Sequence, residues 1–178
     1  QKIIKDLTGR EAQLVCDPAL LLTAEEWDED TTPGRLIKEK YIFCYFMGNN
    51  LWQREFVEEL KRKTGYKIVA LLHLDQYIKA DEEYVDYAPF DISPTDFINL
   101  VKNSEMVCTD SFHGTVFSLI YSKQFFTFMR FSDKATLSTN SRITTLLKCI
   151  GVEDRLVCQK TDLESLLNSK MDIDEIQS

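Results

Sequence analysis

The run Thr109-Asp110-Ser111-Phe112-His113-Gly114 brings several chemically useful side chains together at one turn of the chain. It lies between two apolar runs, as a turn from a strand into a helix does. Asp110 or Ser111 can cap such a helix, and the free N–H groups around Phe112 favour a phosphate or a carboxylate. Gly114 lets a ligand approach the backbone closely. The run therefore predicts an anion-binding helix start.

His113 is the side chain of this turn that can transfer a proton near neutral pH. The helix dipole disfavours an imidazolium ion in a first helical turn unless an anion binds beside it. An anionic substrate would therefore favour the proton-donating form, which predicts general acid catalysis by His113. The alternative is a plain surface or capping role for His113, with Asp110 and Ser111 as simple helix caps.

Two further loops follow apolar runs, namely Met47-Gly48-Asn49-Asn50 and His73-Leu74-Asp75. Gly48 and Asn49 suit a ligand loop and a tight turn equally well, and we expect His73 to be structural. The cations available to an anion, each also interpretable as a solvated surface charge, are Arg130, Lys134 and Arg142.

These loops need a scaffold, and the apolar pattern of the chain predicts one. Short aromatic or branched runs predict buried strands at 41–46, 67–72, 105–109 and 125–129, with a shorter strand at 85–87. Helices are predicted at 52–64, from Ser93, at 114–122, from Asn140, and after the capping-box spacing Thr161–Glu164. The alternation predicts an α/β domain with a Rossmann-like, open, mainly parallel sheet and helices on both faces. Ligands of such sheets bind beyond the carboxyl ends of the strands.

The first 35 residues fit this alternation less well. Residues 1–10 suit a helix, Asp17-Pro18 breaks the chain, and Thr23 caps a short turn before a polar linker at 28–40. The chain opens on Gln1 and shows no signal peptide. We expect residues 1–35 to be a lead-in from a missing upstream N-terminal domain and residues 36–178 to form a Rossmann-like C-terminal domain.

The composition argues against several classes of function. The 178 residues carry a net charge of −8 and no basic run longer than Lys61-Arg62-Lys63, which argues against nucleic acid and anionic membranes as partners. No apolar run approaches the roughly 20 residues that span a bilayer. The five cysteines are scattered without a CxxC pair. We therefore expect buried, reduced thiols, a cytoplasmic protein and no metal site.

The sequence resembles the polysaccharide pyruvyl transferase family at Cys108-Thr109-Asp110-Ser111-Phe112-His113-Gly114-Thr115-Val116-Phe117-Ser118 and at the Lys123-Gln124-Phe125 that follows. Weaker matches are Asp17-Pro18-Ala19-Leu20-Leu21-Leu22-Thr23 with Glu26-Trp27, similar to the family's DPTLLL…W segment, and Ser141-Arg142-Ile143. The resemblance extends over roughly residues 14–158 and is most specific around 108–126.

The resemblance implies the C-terminal half of a GT-B-like architecture, with the site in a cleft between two Rossmann-like halves. It implies transfer of a pyruvyl group from phosphoenolpyruvate to two hydroxyls of a glycan or lipid-linked sugar, a precursor of a bacterial cell-surface polysaccharide or exopolysaccharide. The product is a ketal, and no cofactor is needed. We then expect an inactive isolated domain and, through the acceptor, a position at the inner face of the membrane. His113 matches the family's histidine, the implied general acid, and the expected substrate-binding residues are Asp110, Ser111, Phe112, Gly114, Gly48, Asn49 and Arg142.

One position departs from the family. Many members carry an arginine two residues before the histidine, suited to phosphoenolpyruvate, whereas this chain has Ser111. A bidentate anion clamp is lost there. Either Arg130, Arg142 or the missing domain supplies the cation, or the donor differs. Two alternatives stay open, namely a GT-B-type glycosyltransferase that uses a nucleotide sugar and a non-catalytic glycan-binding module.

Overall fold

The computed structural model of the protein describes residues 1–13, 15–81, 83–131 and 140–169. Five strands in these residues have the bounds Tyr41–Tyr45 (β1), Lys67–Ala70 (β2), Met106–Thr109 (β3), Gln124–Phe128 (β4) and Leu156–Val157 (β5). They form one sheet in the order β2-β1-β3-β4-β5, and all neighbouring strands are parallel. The predicted α/β fold with an open parallel sheet is therefore confirmed.

Seven α-helices accompany the sheet in the described part of the chain. Their bounds are Lys2–Thr8 (α1), Ala24–Asp30 (α2), Leu51–Thr64 (α3), Pro94–Asn103 (α4), Phe112–Ile120 (α5), Asn140–Cys149 (α6) and Leu163–Asn168 (α7). Short 3-10 turns cover Pro18–Leu21, Lys79–Asp81 and Glu153–Arg155. None of these helices is long and apolar enough to cross a membrane.

Local sequence signals set the ends of several helices. α3 ends at Gly65, whose φ of 73° lies in the left-handed region that glycine adopts without strain. α4 follows Ser93, whose hydroxyl accepts the Asp96 N–H while the Asp96 carboxylate accepts the Ser93 N–H. Ser93 thereby satisfies an N–H group that the first turn of α4 would leave without a partner.

Two apolar layers cover the two faces of the sheet. On one face, side chains of β1, β2 and β4 pack with α3 and α7, and the buried members include Ile42, Ile68, Phe126, Val57, Leu60 and Leu163. On the other face, the alternate strand positions pack with α4, α5 and α6, including Phe43, Val107, Phe125, Leu100, Phe117 and Leu147. Each of these side chains contributes about 1.5–3 kcal/mol on burial. Because both faces of the sheet are buried, the sequences of the strands are continuous apolar runs.

The strand order creates a switch point between β1 and β3. The chain leaves β1 through α3 towards β2, whereas it leaves β3 through α5 towards β4, and the two helices lie on opposite faces. The loops after β1 and β3 therefore diverge and leave a crevice beyond the carboxyl ends of the strands. Doubly wound sheets bind their ligands at such a crevice.

Several predicted elements differ from the structure in extent. β5 was not predicted, because two residues are too few to show a period. The predicted strand at 85–87 is reduced to a single bridge between Val69 and Tyr87. α5 begins at Phe112, two residues before the predicted start, because Ser111 is the N-cap. The predicted cap of α7 also moves by one residue, from Thr161 to Asp162, whose carboxylate accepts two N–H groups.

The prediction of buried cysteines is wrong for three of the five. All five thiols are free, and Cys44 and Cys108 are buried in β1 and β3, but Cys16, Cys149 and Cys158 are exposed. Cys149 is the last residue of α6, and Cys158 directly follows β5. Apolar neighbours in sequence do not bury a residue at these places, because the chain turns outward at the end of an element.

The segment 17–30, predicted as part of a lead-in, packs on the sheet domain. The Trp27 ring meets Phe117 of α5 edge to face at 5.1 Å, and its indole N–H donates to the Ala19 carbonyl at 3.1 Å. Asp28 pairs with Lys102 of α4 and accepts a hydrogen bond from the Tyr121 hydroxyl. An upstream domain stays a prediction, but these contacts bring the segment to the edge of the switch-point crevice.

Candidate functional site

The predicted helix start lies at the switch point, directly after β3. Ser111 is the N-cap of α5, with its hydroxyl oxygen 3.4 Å from the Gly114 N–H, and Phe112 and His113 are the first two helical residues. The Thr109 hydroxyl donates to the Tyr45 carbonyl at 2.6 Å and accepts the Ser111 N–H at 3.0 Å. The turn is therefore fixed to the neighbouring strand β1.

Asp110 ties the loops after β1 and β3 together. Its buried carboxylate accepts the Met47 N–H at 2.7 Å and the Gly48 N–H at 2.9 Å. Burial raises the pKa of Asp110, while the two N–H groups and the charge of Arg130 oppose that rise. The Arg130 guanidinium also donates to the Asp110 carbonyl at 3.2 Å. Asp110 thus sets the relative position of the two loops.

The two glycines of the predicted site lie against protein atoms. A Cβ on Gly114 would stand 2.5 Å from the Thr109 hydroxyl oxygen, and a Cβ on Gly48 would stand 2.8 Å from an Asp110 carboxylate oxygen. Both distances are shorter than van der Waals contact. A side chain at either position would therefore clash with protein atoms. Packing explains both glycines, in addition to the close ligand approach that the sequence suggested. Asn49 lies exposed at the tip of the loop.

His113 stands at the solvent side of the turn with 55% of its side chain exposed. Its Nε2 lies 3.7 Å from an oxygen of Asp17. The other Asp17 oxygen lies 3.7 Å from an Arg142 Nη, so one carboxylate stands between the candidate acid His113 and the candidate cation Arg142. The Arg142 guanidinium is centred over the Phe112 ring at 4.1 Å, a cation–π contact that holds it beside the helix start.

Asp17 is the site residue that reasoning from spacing missed, because it is 96 positions from His113 in the printed numbering. Its side chain is 19% exposed, and its carboxylate accepts the Ala19 N–H at 3.1 Å, which caps the Pro18–Leu21 turn. The only signal in the sequence was its place in the Asp17–Thr23 segment that resembles the family.

Two cavities flank His113. A smaller one of about 270 Å³ is lined by Met47, Asp110, Ser111, Phe112, His113, Arg130, Asn140, Arg142 and Ile143. A larger one of about 540 Å³ is lined by Trp27, Tyr45, Met47, Leu71, Ile92, Ser93, Pro94, Phe97, Ile98, Ser111, His113 and Phe117. The smaller cavity contains two arginines and the start of α5, as an anion site requires. Lys134, the third candidate cation, lies outside the described residues.

His73 lies away from this turn in a buried polar network. Its Nδ1 is 2.7 Å from Asp81, and Asp81 accepts from the Arg54 guanidinium at 2.6 Å. Arg54 in turn donates to the Gly48 carbonyl at 2.8 Å. This geometry agrees with the structural role expected of His73, since the network supports the loop after β1. Within the described residues, no group of three His, Cys, Asp or Glu side chains could hold a metal ion.

Solved structures of similar fold include UDP-GlcNAc 2-epimerases. The UDP-GlcNAc 2-epimerase of Methanocaldococcus jannaschii matches with a TM-score of 0.52 and 16% identity, over 74% of this chain and 38% of that one. A Listeria monocytogenes protein described as a UDP-N-acetylglucosamine 2-epimerase matches with a TM-score of 0.53 and 16% identity, over 85% of this chain and 45% of that one. At this identity the likeness concerns the fold alone, which resembles one half of a GT-B-like structure. The chain spans less than half the length of either relative.

Sequence comparison gives a more specific result. No curated protein matches the sequence significantly. The family profile of polysaccharide pyruvyl transferases, in contrast, matches residues 2–130. That range includes the Asp17 segment, both loops at the switch point, and the turn that carries His113. The chain therefore belongs to the polysaccharide pyruvyl transferase family.

Proposed function

We propose that this protein is the C-terminal, GT-B-like half of an enzyme that transfers a pyruvyl group from phosphoenolpyruvate to two hydroxyls of a sugar. The acceptor is a glycan or lipid-linked precursor of a cell-surface polysaccharide, handled in the cytoplasm at the inner face of the membrane. The upstream half of the same protein closes the cleft, so the present domain alone is inactive. Family membership supports the reaction class, and the geometry around His113 supports the assignment of roles.

The proposed chemistry begins with a proton transfer. His113 donates a proton to the methylene carbon of phosphoenolpyruvate, which becomes a methyl group and leaves C2 electrophilic. One sugar hydroxyl adds to C2 and returns its proton to the imidazole, and the second hydroxyl then replaces the phosphate at the same carbon, while its proton leaves with the phosphate. The products are a cyclic ketal and inorganic phosphate. His113 must therefore reach the donor, while other groups hold the donor's phosphate and carboxylate.

The observation that carries the proposal is the position of His113 beside a small cationic cavity. The cavity of about 270 Å³ combines the N-terminus of α5 with Arg130 and Arg142. Phosphoenolpyruvate carries two anionic groups, which helix N–H groups and guanidinium ions bind well. In this proposal Ser111, Phe112 and Gly114 offer the helix start, and Asn49 offers a side chain from the facing loop. Gly48 and Asp110 hold that loop in place.

In this proposal, Arg142 takes the role of the arginine that many family members have at the position of Ser111. Arg130 is held by Asp110, both through the Asp110 carbonyl at 3.2 Å and through its carboxylate at 3.7 Å. Arg142 lies over the Phe112 ring and 3.7 Å from Asp17, and half of its side chain is exposed. Its guanidinium can therefore turn towards an anion more easily than that of Arg130.

A nucleotide-sugar donor is the second candidate. The fold likeness to UDP-GlcNAc 2-epimerases favours it, together with a groove of about 560 Å³ beyond β4 and β5. Trp52 and Phe131 offer aromatic surfaces in that groove, and Arg130 and Lys160 offer positive charge. A nucleotide base and a diphosphate need such groups. The third candidate is a non-catalytic glycan-binding module. It is considered because Ser111 stands where many family members have an arginine.

The test is a donor assay on the full-length protein. It is incubated with labelled phosphoenolpyruvate, or with a labelled UDP-sugar, and a panel of glycan acceptors. Label transfer from phosphoenolpyruvate with release of phosphate is expected, and His113→Ala should lower turnover by about 10²–10⁴-fold, the range of general acid catalysis. Turnover with the UDP-sugar alone contradicts the proposal. Glycan binding without any turnover favours the third candidate.

A further inference from the structure

The two cavities beside His113 differ in chemical character. The smaller one contains two arginines and a buried carboxylate, whereas the described residues that line the larger one include no Asp, Glu, Lys or Arg. Met47, Ser111 and His113 line both cavities and form the ridge between them. Two ligands bound on either side of this ridge would meet at the imidazole. A reaction between an anionic donor and an uncharged acceptor needs this arrangement.

Aromatic side chains form the wall of the larger cavity. Trp27 meets Phe117 edge to face at 5.1 Å, and Tyr45 meets Phe97 in the same way at 5.2 Å. Phe97 and Phe117 complete the row with centroids 6.0 Å apart. Trp27, Tyr45 and Phe97 are only half-buried. Their remaining surface is therefore available to a ligand in the cavity.

The lining excludes an anion and fits a sugar ring. The volume of about 540 Å³ lies within the range of roughly 300–1,000 Å³ that holds small molecules. The C–H faces of a pyranose are apolar and pack on aromatic rings, while its hydroxyls need polar partners. Polar groups are present at two places on the rim, Ser93 on one side and Ser111 with His113 on the other. An apolar wall with few polar groups is typical of such sites.

We propose that this aromatic cavity is the acceptor subsite and binds one pyranose ring of the saccharide. The inference rests on the proposed function for the pairing of donor and acceptor, because the family acts on polysaccharides. A ring on the Trp27–Phe117 wall presents its hydroxyls across the ridge to the cationic cavity. The donor carbon C2 then lies between a sugar hydroxyl and the imidazole that protonates the neighbouring carbon.

The test uses the two tryptophans of the chain, Trp27 and Trp52. Trp27 lines the aromatic cavity, whereas Trp52 lines the grooves beside β5. The variant Trp52→Phe of the full-length protein leaves Trp27 as the fluorescent reporter within this chain, and a paired Trp27→Phe variant subtracts the signal of any other tryptophan. It is titrated with the methyl glycosides of galactose, glucose, mannose and N-acetylmannosamine. Saturable changes are expected for at least one of them, with a dissociation constant of about 1 mM, as suits a single small ligand.

Two further variants in the Trp52→Phe background locate the site. Ile92→Asp places a carboxylate in the apolar wall and should weaken saccharide binding at least about tenfold. Phe90→Asp is the matched control, because Phe90 lies on the same loop, is exposed and does not line the cavity. It should leave the affinity unchanged. Thermal melting of both variants checks that they fold.

Several outcomes would overturn the inference. The first is that Trp27 fluorescence responds to none of the four glycosides. The second is that Ile92→Asp binds saccharide as tightly as the Trp52→Phe parent. The third is that only Trp52 responds, as measured in the variant Trp27→Phe. The outcome is independent of the donor, since no turnover is measured. If saccharides bind at Trp27 but phosphoenolpyruvate is not consumed, the proposed reaction fails and the saccharide site at Trp27 stands.

Discussion

At the scale of single residues, one carboxylate controls the charge around His113. Asp17 faces both His113 and Arg142 at 3.7 Å, and its oxygens divide between them. The capping bond to the Ala19 N–H fixes this carboxylate, so it is not free to leave when an anion arrives. Asp17 therefore opposes anion binding by its charge and orients the imidazole and guanidinium by contact. These two effects have opposite consequences for a substitution.

We predict that Asp17→Asn binds phosphate more tightly but turns over more slowly. Removal of a screened charge of this kind is worth about 0.5–1 kcal/mol, which corresponds to roughly twofold to fivefold in affinity. Loss of orientation should lower kcat about tenfold, because the acid must be held in line with the donor carbon. Phosphate titration by ³¹P NMR and the separation of kcat from KM measure the two effects.

Glu29→Gln is the matched control for Asp17→Asn. Glu29 lies on α2 in the same segment and is exposed. It should change neither the phosphate affinity nor kcat. If Asp17→Asn weakens phosphate binding and lowers kcat together, Asp17 has only a structural role.

At the scale of elements, the site depends on how closely α5 and the β1 loop approach β3. Asp110 joins the loops, and its burial raises its pKa above the value in the unfolded chain. The folded state therefore binds the Asp110 proton more tightly than the unfolded chain does. Its contribution to stability is present below the unfolded pKa and is lost as the pH rises through the raised pKa. The hydrogen bonds from Met47 and Gly48 offset part of this loss at neutral pH.

We predict that Gly114→Ala destabilises the fold. The added Cβ would stand 2.5 Å from the Thr109 hydroxyl oxygen and 3.0 Å from its methyl carbon, so α5 must move away from β3. Overpacking of this kind costs about 1–3 kcal/mol. For a chain of this size it lowers Tm by roughly 2–12 °C, measured by thermal melting.

The adjacent variant His113→Ala provides the comparison for Gly114→Ala. His113 is half-exposed and in the same helical turn, so its removal should change the free energy of unfolding by about 0.5 kcal/mol or less. A melting temperature for Gly114→Ala equal to that of the unaltered protein would show that the helix and strand are not in close contact.

At the scale of the whole molecule, we expect the three-layer fold to couple ligand binding to global stability. The cationic cavity draws residues from the loops after β1 and β3 and from α6, which are distant in sequence. An anion bound there holds these elements together only in the folded state. It therefore stabilises the molecule by mass action.

We predict that inorganic phosphate raises the melting temperature and that Arg142→Gln removes most of this effect. At a phosphate concentration ten times its dissociation constant, the gain is about 1.4 kcal/mol. Arg10→Gln is the control, since Arg10 is exposed and lies on no cavity that contains His113. An equal phosphate effect in Arg142→Gln and the unaltered protein would place the anion elsewhere.

The sequence by itself determined the strands, most of the helices, and the turn that carries His113. Apolar runs of four to six residues and helix caps such as Ser93 are local signals, and burial on both faces of a parallel sheet makes them clear. The same local reasoning predicted an anion site at a helix start, because the strand, the cap and the histidine are consecutive.

Only the tertiary structure decided which distant groups meet at that turn. The approach of Asp17, the engagement of Arg130 by Asp110, and the aromatic wall of Trp27 and Phe117 join residues from separate elements. Spacing carries no information on such contacts, since they depend on strand order and on the packing of segment 17–30 across α5. Spacing could not predict the exposure of Cys158 for the same reason. This residue follows the two-residue strand β5, and its exposure depends on the tertiary structure.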